Sequence, residues 1–314
     1  MPKADSLVAG VEMGGTKTIV LLARNRHILR EETLPTTDPD TTLKRASALL
    51  RRWFAAEPFL ALGIASFGPL DLCPGSRTYG HMLPTPKQSW SGANIGGALS
   101  AELPCAVLID TDVNGAALAE MRWGAGVQEA ADSLCYITVG TGVGGGFIVN
   151  GRPLHGAMHP EIGHIRVSRA VGDDFGGICP FHSDCIEGLV SGPALAARFG
   201  MPGDRISPDD PRWAYVVHEL AQFVCSILLM TSVRMVLIGG GVAMARPELM
   251  ERVRAQVVVQ LAGYLPFVSA NSIERIVRAP ELGAKAGPLG AIALALDADS
   301  AWRTSVPHQR ENAL

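Results

Sequence analysis

The chain lacks a large excess of charge of either sign: 27 Lys and Arg stand against 30 Asp and Glu, a formal net charge of −3. A nucleic-acid surface needs a basic field, so nucleic acid is not expected as the main partner. It also lacks an unbroken apolar run of membrane length. The most apolar stretch, residues 213–233, is interrupted by His218, Glu219 and Gln222 and followed by Arg234. A spanning helix needs about 20 apolar residues, so this stretch is expected to be a buried core helix and no membrane partner is expected. Cysteine is too sparse for a disulfide framework, with six in 314 residues. Cys105, Cys135 and Cys225 lie in apolar runs and read as small buried hydrophobes, while Cys73 stays unassigned in a Pro/Gly-rich loop. No low-complexity linker separates the segments, and Met1 to Ser6 shows no cleavable signal. A cytoplasmic location, with reduced thiols, is the expectation.

What is present supports a sizeable core: 47% of residues are hydrophobic and 18% charged. The length suits two packed α/β lobes. Residues 7–13 (LVAGVEM) predict a buried strand, Gly14 to Lys17 a turn, residues 18–23 a second strand and residues 27–32 a third. Helical spacing predicts a helix over 43–54, strands follow at 59–66 and 106–110, and a helix runs over 113–123. The second half restarts in the same way, with strands at 133–139 and 143–149 around Gly140-Thr141-Gly142 and a hairpin signal at Asn150-Gly151. Sliding the sequence by 125 positions superposes Gly15-Thr16 on Gly140-Thr141 and Asn25 on Asn150. The shared layout implies a duplication. Further on, helices are predicted over 193–199, 214–233, 247–261 and 286–296, with strands at 235–238 and 274–278. The segment after Ala298 is polar and expected to be loose.

The glycine clusters carry the first chemical signal. Gly14-Gly15-Thr16-Lys17 is no Walker A loop, because Lys would have to follow Gly15 directly and a strand follows instead of a helix. It suits a hairpin whose N–H groups approach a phosphate, with Thr16 and Lys17 as added donors. Gly140 to Gly146 likewise fails as a dinucleotide fingerprint, which must open a helix. Two such hairpins facing each other across a cleft would hold the β- and γ-phosphates of a nucleotide. Gly239-Gly240-Gly241 reads equally as a tight strand–helix turn or as a close approach to a nucleoside. In Asp110-Thr111-Asp112-Val113-Asn114, helix capping suffices for Asp110. Asp112 is the candidate general base, placed at a strand end where α/β proteins hold their chemistry.

Cys179-x2-His182-x2-Cys185 matches the donors of tetrahedral zinc, with His155, His159 and His164 competing for the fourth position. Four protein ligands would make the ion structural, closed to substrate. Glu161 and Glu187 flank these donors and suit hydrogen bonds from sugar hydroxyls. A metal-stiffened loop, phosphate hairpins and a carboxylate together suggest phosphoryl transfer to a small polar molecule.

From Val8 to about Leu296 the chain resembles the ROK family of sugar kinases and repressors, and within it the bacterial fructokinase branch. Gly10-Val-Glu12-Met-Gly14-Gly15-Thr16-Lys17 is similar to its first phosphate motif, with Glu12 where many relatives have Asp. Residues 63–69, ending in Gly68-Pro69, resemble its sugar-side loop, and Thr85-Pro86-Lys87 followed by Trp90 a segment of the fructokinase branch. Asp110 to Glu120 is similar to the catalytic segment, with Thr111 where glucose-specific relatives have Asn, which argues against a glucokinase. His159-Pro-Glu161-Ile-Gly-His164 and Cys179 to Gly188 resemble the zinc and sugar signature.

The resemblance implies an actin-like, ribonuclease-H-like ATPase fold with duplicated lobes, residues 1–112 plus 288–314 forming one and 113–287 the other. It implies Asp112 as base and His164, Cys179, His182 and Cys185 as ligands of a structural Zn²⁺. Glu12, Gly14, Gly15, Thr16, Lys17, Thr138, Gly140, Thr141, Gly142, Pro193, Gly239, Gly240 and Gly241 are then expected at ATP and Mg²⁺. Gly68, Pro69, Thr111, Asp112, Glu161, His164 and Glu187 are expected at the sugar. The expected reaction is ATP-dependent phosphorylation of fructose at its 6-hydroxyl, by a homodimer. A kinase for mannose or an N-acetylated amino sugar is the alternative. A sugar-sensing repressor is disfavoured, because only nine residues precede Gly10 and leave no room for a helix-turn-helix.

Overall fold

The computed structural model describes residues 6–305 and divides into two compact units. Unit 1 comprises the described residues up to Ala119, then His155–His159, then those from Ala284 onward; unit 2 comprises Glu120–Leu154 and Pro160–Gly283.

Unit 1 is one five-stranded sheet between helices. Strands β1 (Leu7–Met13), β2 (Lys17–Arg24) and β3 (His27–Pro35) form an antiparallel meander, and β4 (Ala61–Ser66) and β5 (Ala106–Thr111) run parallel to β1. The order across the sheet is β3-β2-β1-β4-β5. Successive strand residues face opposite sides. Leu7, Ala9, Val11 and Met13 therefore join Leu43, Ala46, Leu50 and Trp53 of α1 (Pro39–Ala56) in one core. The side chain of Asp38 caps that helix, accepting from the Thr41 N–H at 2.9 Å. On the opposite face, the helix Ala286–Ser305 lies against β1, β4 and β5. It comes so close that a Cβ on Gly63 would overlap the Ala291 carbonyl. The short α2 (Ile95–Ser100) and then the part of α3 (Asp112–Trp123) up to Ala119 complete the unit, and α3 starts the moment β5 ends.

Unit 2 repeats the scheme. After a short α4 (Ala125–Gln128), β6 (Leu134–Val139), β7 (Val143–Val149) and β8 (Arg152–Pro153) form the meander. Helices α5 (Ile186–Val190), α6 (Gly192–Phe199) and α7 (Trp213–Thr231) lead to β9 (Val236–Gly239). Then come α8 (Gly241–Met244), α9 (Pro247–Leu261), α10 (Ile273–Ile276) and β10 (Val277–Arg278). The sheet order β8-β7-β6-β9-β10 is that of unit 1, strand for strand. Asn25 and Asn150 stand in the second hairpin turn of each sheet with φ of 53° and 51°, the left-handed region that Asn tolerates. The 125-residue shift read from the sequence is thus a repeat of backbone conformation.

Helix α7 is long and apolar enough to cross a membrane by length and hydropathy, yet Val216, Phe223, Val224, Ile227 and Leu228 are buried in the core of unit 2. Its interruption Glu219 is buried too, accepting two hydrogen bonds from Arg198 at 2.9 Å and pairing with Arg169 at 3.0 Å. Three readings change. The strand expected at 274–278 is paired only at Val277 and Arg278, because Ile273–Ile276 is helical. The terminal helix does not stop at the expected Leu296 but runs to Ser305, through the start of the segment expected to be loose, with Asp299 buried and bonded to the Ser6 hydroxyl at 3.3 Å. The remainder of the polar tail lies outside the described residues. The expected unit boundary after residue 112 falls instead after Ala119, since Gly115 of α3 packs on Gly290 of the terminal helix.

Candidate active site and metal centre

In unit 1, the end of β5 delivers Asp112 as the first residue of α3. Its Oδ1 accepts from the Val113 N–H at 2.9 Å, and burial pushes its carboxyl up to about 6. Glu12, near the end of β1, is pushed further, to about 7, by burial and then by the negative charge of Asp112, with Lys17 opposing. Its Oε2 is buried without a hydrogen-bond partner. A buried, partnerless carboxylate oxygen beside a second carboxylate suits a hard cation.

The first glycine turn closes with the Gly14 N–H donating to the Lys17 carbonyl at 2.8 Å, and Gly15, Thr16 and Lys17 are exposed. Beside Asp112 lies a buried cluster that the sequence reading missed. Asp110, expected only to cap, is buried; its Oδ1 accepts from the Thr111 N–H at 2.7 Å and from Asn114 Nδ2 at 2.8 Å. Its Oδ2 faces His155 Nε2 at 3.0 Å, and that hydrogen bond raises the pKa of His155. Thr111, expected at the sugar, is buried and its hydroxyl oxygen accepts from the Asn114 N–H at 3.1 Å, so it serves as a cap of α3. His159 accepts from the Leu70 N–H at 3.0 Å and lies beside Gly68, holding the Gly68-Pro69 loop. Neither His155 nor His159 belongs to the group of converging metal donors, which is His164, Cys179, His182 and Cys185. Both were weighed only as metal donors, and their partners lie 45 and 89 residues away in sequence, beyond any local pattern.

Unit 2 brings the other expected residues together. His164, Cys179, His182 and Cys185 place one donor atom each within 4.8 Å of one another. His164 Nδ1 stands 3.7 Å from Cys179 Sγ and 3.6 Å from Cys185 Sγ, and His182 Nδ1 stands 3.9 Å from Cys179 Sγ. Sulfur and nitrogen ligands around a tetrahedral zinc would be about 3.5 Å apart, given bonds of ~2.3 and ~2.0 Å. The donor set can hold one four-coordinate ion. The convergence is built by the backbone: Cys179 and Ser183 exchange hydrogen bonds at 3.1 and 2.9 Å, and the Ile186 N–H donates to the Ile165 carbonyl at 2.9 Å.

One side chain links this loop to the second glycine hairpin. Glu187, two residues past Cys185, accepts from the Val143 N–H at 3.0 Å, and its carboxylate lies against Gly142, where an added Cβ would displace it. The Gly192 N–H donates to the Gly140 carbonyl at 2.7 Å, which sets Pro193 at the start of α6 beside the same turn. Gly240, at φ 89°, lies against Thr138 and Val139, so the third glycine run also packs on the end of β6. Glu161 is exposed, ahead of the turn that carries His164.

Paired sheets of one topology, with glycine turns at the first hairpin of each and a carboxylate where a parallel strand meets a helix, define the actin-like ATPase class. A family model described as "ROK family" matches residues 8–298, and the chain belongs to that family. The chain is 38% identical over 305 residues to a fructokinase of Zymomonas mobilis subsp. mobilis, covering 95% of this chain and 99% of that one. It is 36% identical over 272 residues to a fructokinase of Lactococcus lactis subsp. cremoris, covering 86% and 90%. Among solved structures, the ROK hexokinase from Thermus thermophilus superposes with a TM-score of 0.70 at 26% identity, covering 92% of this chain and 97% of that one.

Proposed function

We propose that the chain transfers the terminal phosphoryl group of ATP to the 6-hydroxyl of D-fructose, giving fructose 6-phosphate and ADP. The observation that carries the reading is Asp112, a carboxylate at the β5–α3 junction with its proton affinity raised into the range of a working base. Its ionised form takes the proton of the 6-hydroxyl as that oxygen bonds to the γ-phosphorus. The bond from phosphorus to the bridging oxygen breaks, and ADP leaves with the electron pair. Positioning and charge neutralisation do most of the work in such transfers. Fructose as acceptor is supported by curated fructokinases that are 34–38% identical over most of the chain.

Gly14, Gly15, Thr16 and Lys17 are assigned to the phosphates. Thr138, Gly140, Thr141, Gly142 and Pro193 are assigned to the nucleotide, the second hairpin sharing its phosphates, and Gly239, Gly240 and Gly241 to its nucleoside. Glu12 fits Mg²⁺, whose contribution is to neutralise charge on the phosphate oxygens. Gly68, Pro69, Glu161, His164 and Glu187 are assigned to the sugar. The four donors at His164, Cys179, His182 and Cys185 fit a structural Zn²⁺ closed to substrate. A cytoplasmic homodimer belongs to the same reading.

An ADP-release assay across fructose, mannose, glucose and N-acetylmannosamine is expected to give the highest kcat/KM for fructose; equal values across the panel would overturn the substrate assignment. Asp112→Asn is expected to lower kcat by ~10²-fold or more with ATP and fructose still bound. Near-normal turnover would remove Asp112 as base.

A further inference from the structure

The segment Thr85-Pro86-Lys87…Trp90 has no part in the chemistry above, yet it reaches the first glycine turn. Lys87 precedes a single 3-10 turn, Gln88–Trp90. Trp90 is fully buried, donates from Nε1 to the Thr37 carbonyl at 2.9 Å and meets Phe67 edge to face at 5.0 Å between centroids. The Lys87 ammonium lies over both rings, 5.4 Å from Trp90 and 5.5 Å from Phe67. It donates to the Gly15 carbonyl at 2.7 Å and to the Thr36 carbonyl at 3.4 Å. The Thr36 N–H in turn donates to the Thr16 carbonyl at 3.0 Å. Among the described residues no carboxylate pairs with this ammonium, and its partial burial lowers its pKa.

The Gly15 carbonyl and the Thr16 N–H belong to one planar peptide unit and point in opposite directions. A cation fixed on the carbonyl therefore aims the N–H away from Lys87. Among the described residues, the N–H groups of Gly15 and Thr16 make no hydrogen bond within the protein. Successive free N–H groups of this kind form an anion cradle.

We propose that Lys87 is a positioning residue for the terminal phosphates of the nucleotide: it orients the Gly15–Thr16 peptide toward the anion and leaves an uncompensated positive charge beside the turn. This rests on the reading of Gly14 to Lys17 as the phosphate turn. Its aromatic platform begins at Phe67, the residue before Gly68-Pro69, so the same ammonium also buttresses the start of the sugar-side loop. The action on the sugar is indirect and the action on the phosphates is not, which the test exploits.

Titration calorimetry with ATP alone and with fructose alone compares the wild type with Lys87→Met and Lys87→Arg. The Met variant is expected to bind ATP about 10-fold or more weakly, as the loss of a charge-assisted hydrogen bond implies. Its fructose Kd is expected to stay within about twofold, with Arg intermediate because it keeps the charge but not the compact geometry. Unchanged ATP affinity, or a parallel loss for fructose, would overturn the proposal. Should the Met variant fail to fold, Lys87→Arg decides: wild-type ATP affinity overturns the assignment, and a selective loss supports it. Wild-type protein that binds ATP but phosphorylates no fructose would retire the fructokinase reading and leave the Lys87 comparison intact.

Discussion

Asp112 and Glu12 illustrate how a side chain's meaning depends on what surrounds it. Both are ordinary carboxylates in the sequence, and Asp112 could have been a plain helix cap. Burial raises Asp112 to about 6, whereas Glu12 adds the repulsion of Asp112 to its own burial and reaches about 7. If Asp112 is the base, as proposed, its working form is the ionised one, and protonation removes activity as pH falls. In the free protein this predicts that kcat/KM for fructose declines about tenfold per pH unit below pH ~6. A profile flat down to pH 5 would show that no group of raised pKa takes the proton. Asp112 and the glycines stand out in the sequence by residue type and spacing, whereas Glu12 is marked only by the family resemblance. The histidine partner of Asp110 was not legible. His155 reaches Asp110 from a segment whose neighbours in sequence belong to unit 2, and no local pattern records that.

At the scale of elements, the loop that carries the four candidate metal donors and the β6–β7 hairpin are joined through α5. Cys185 ends the loop as the residue before α5, and Glu187 on its first turn grips the Val143 N–H. Loosening the donors therefore loosens the hairpin. Purified protein is expected to carry one zinc per chain by elemental analysis. Cys185→Ser should abolish that metal and lower Tm by several degrees, since about 1 kcal/mol shifts Tm by ~2–4 °C in a unit of this size. Full stability without metal would refute a structural ion. The long elements were the easiest to predict: α9 begins and ends where its periodicity does. The two-residue β10 was misjudged, because Ile273–Ile276 close a helical turn and only Val277 and Arg278 are left to pair with β9.

For the molecule as a whole, the duplication was visible in the sequence as three identities and is visible in the structure as two sheets with one strand order. What the sequence concealed is how unit 1 is completed. Its sheet is covered on one face by residues that follow all of unit 2, and the fit relies on glycine where β4 touches that helix. Gly63→Ala should push the helix off the sheet and cost about 1–3 kcal/mol or more, readable in urea unfolding. Unchanged unfolding would mean that the backbone gives way easily there.

That arrangement sets an order of events during synthesis. The middle of the gene encodes all of unit 2, so that unit is complete in sequence before residues 286–305 are made. The earlier part must wait, one apolar side bare, until residues 286–305 emerge. A nascent chain halted before that point holds a finished second half and an open first half. The window for misassembly or chaperone capture is therefore longest for the segment translated first.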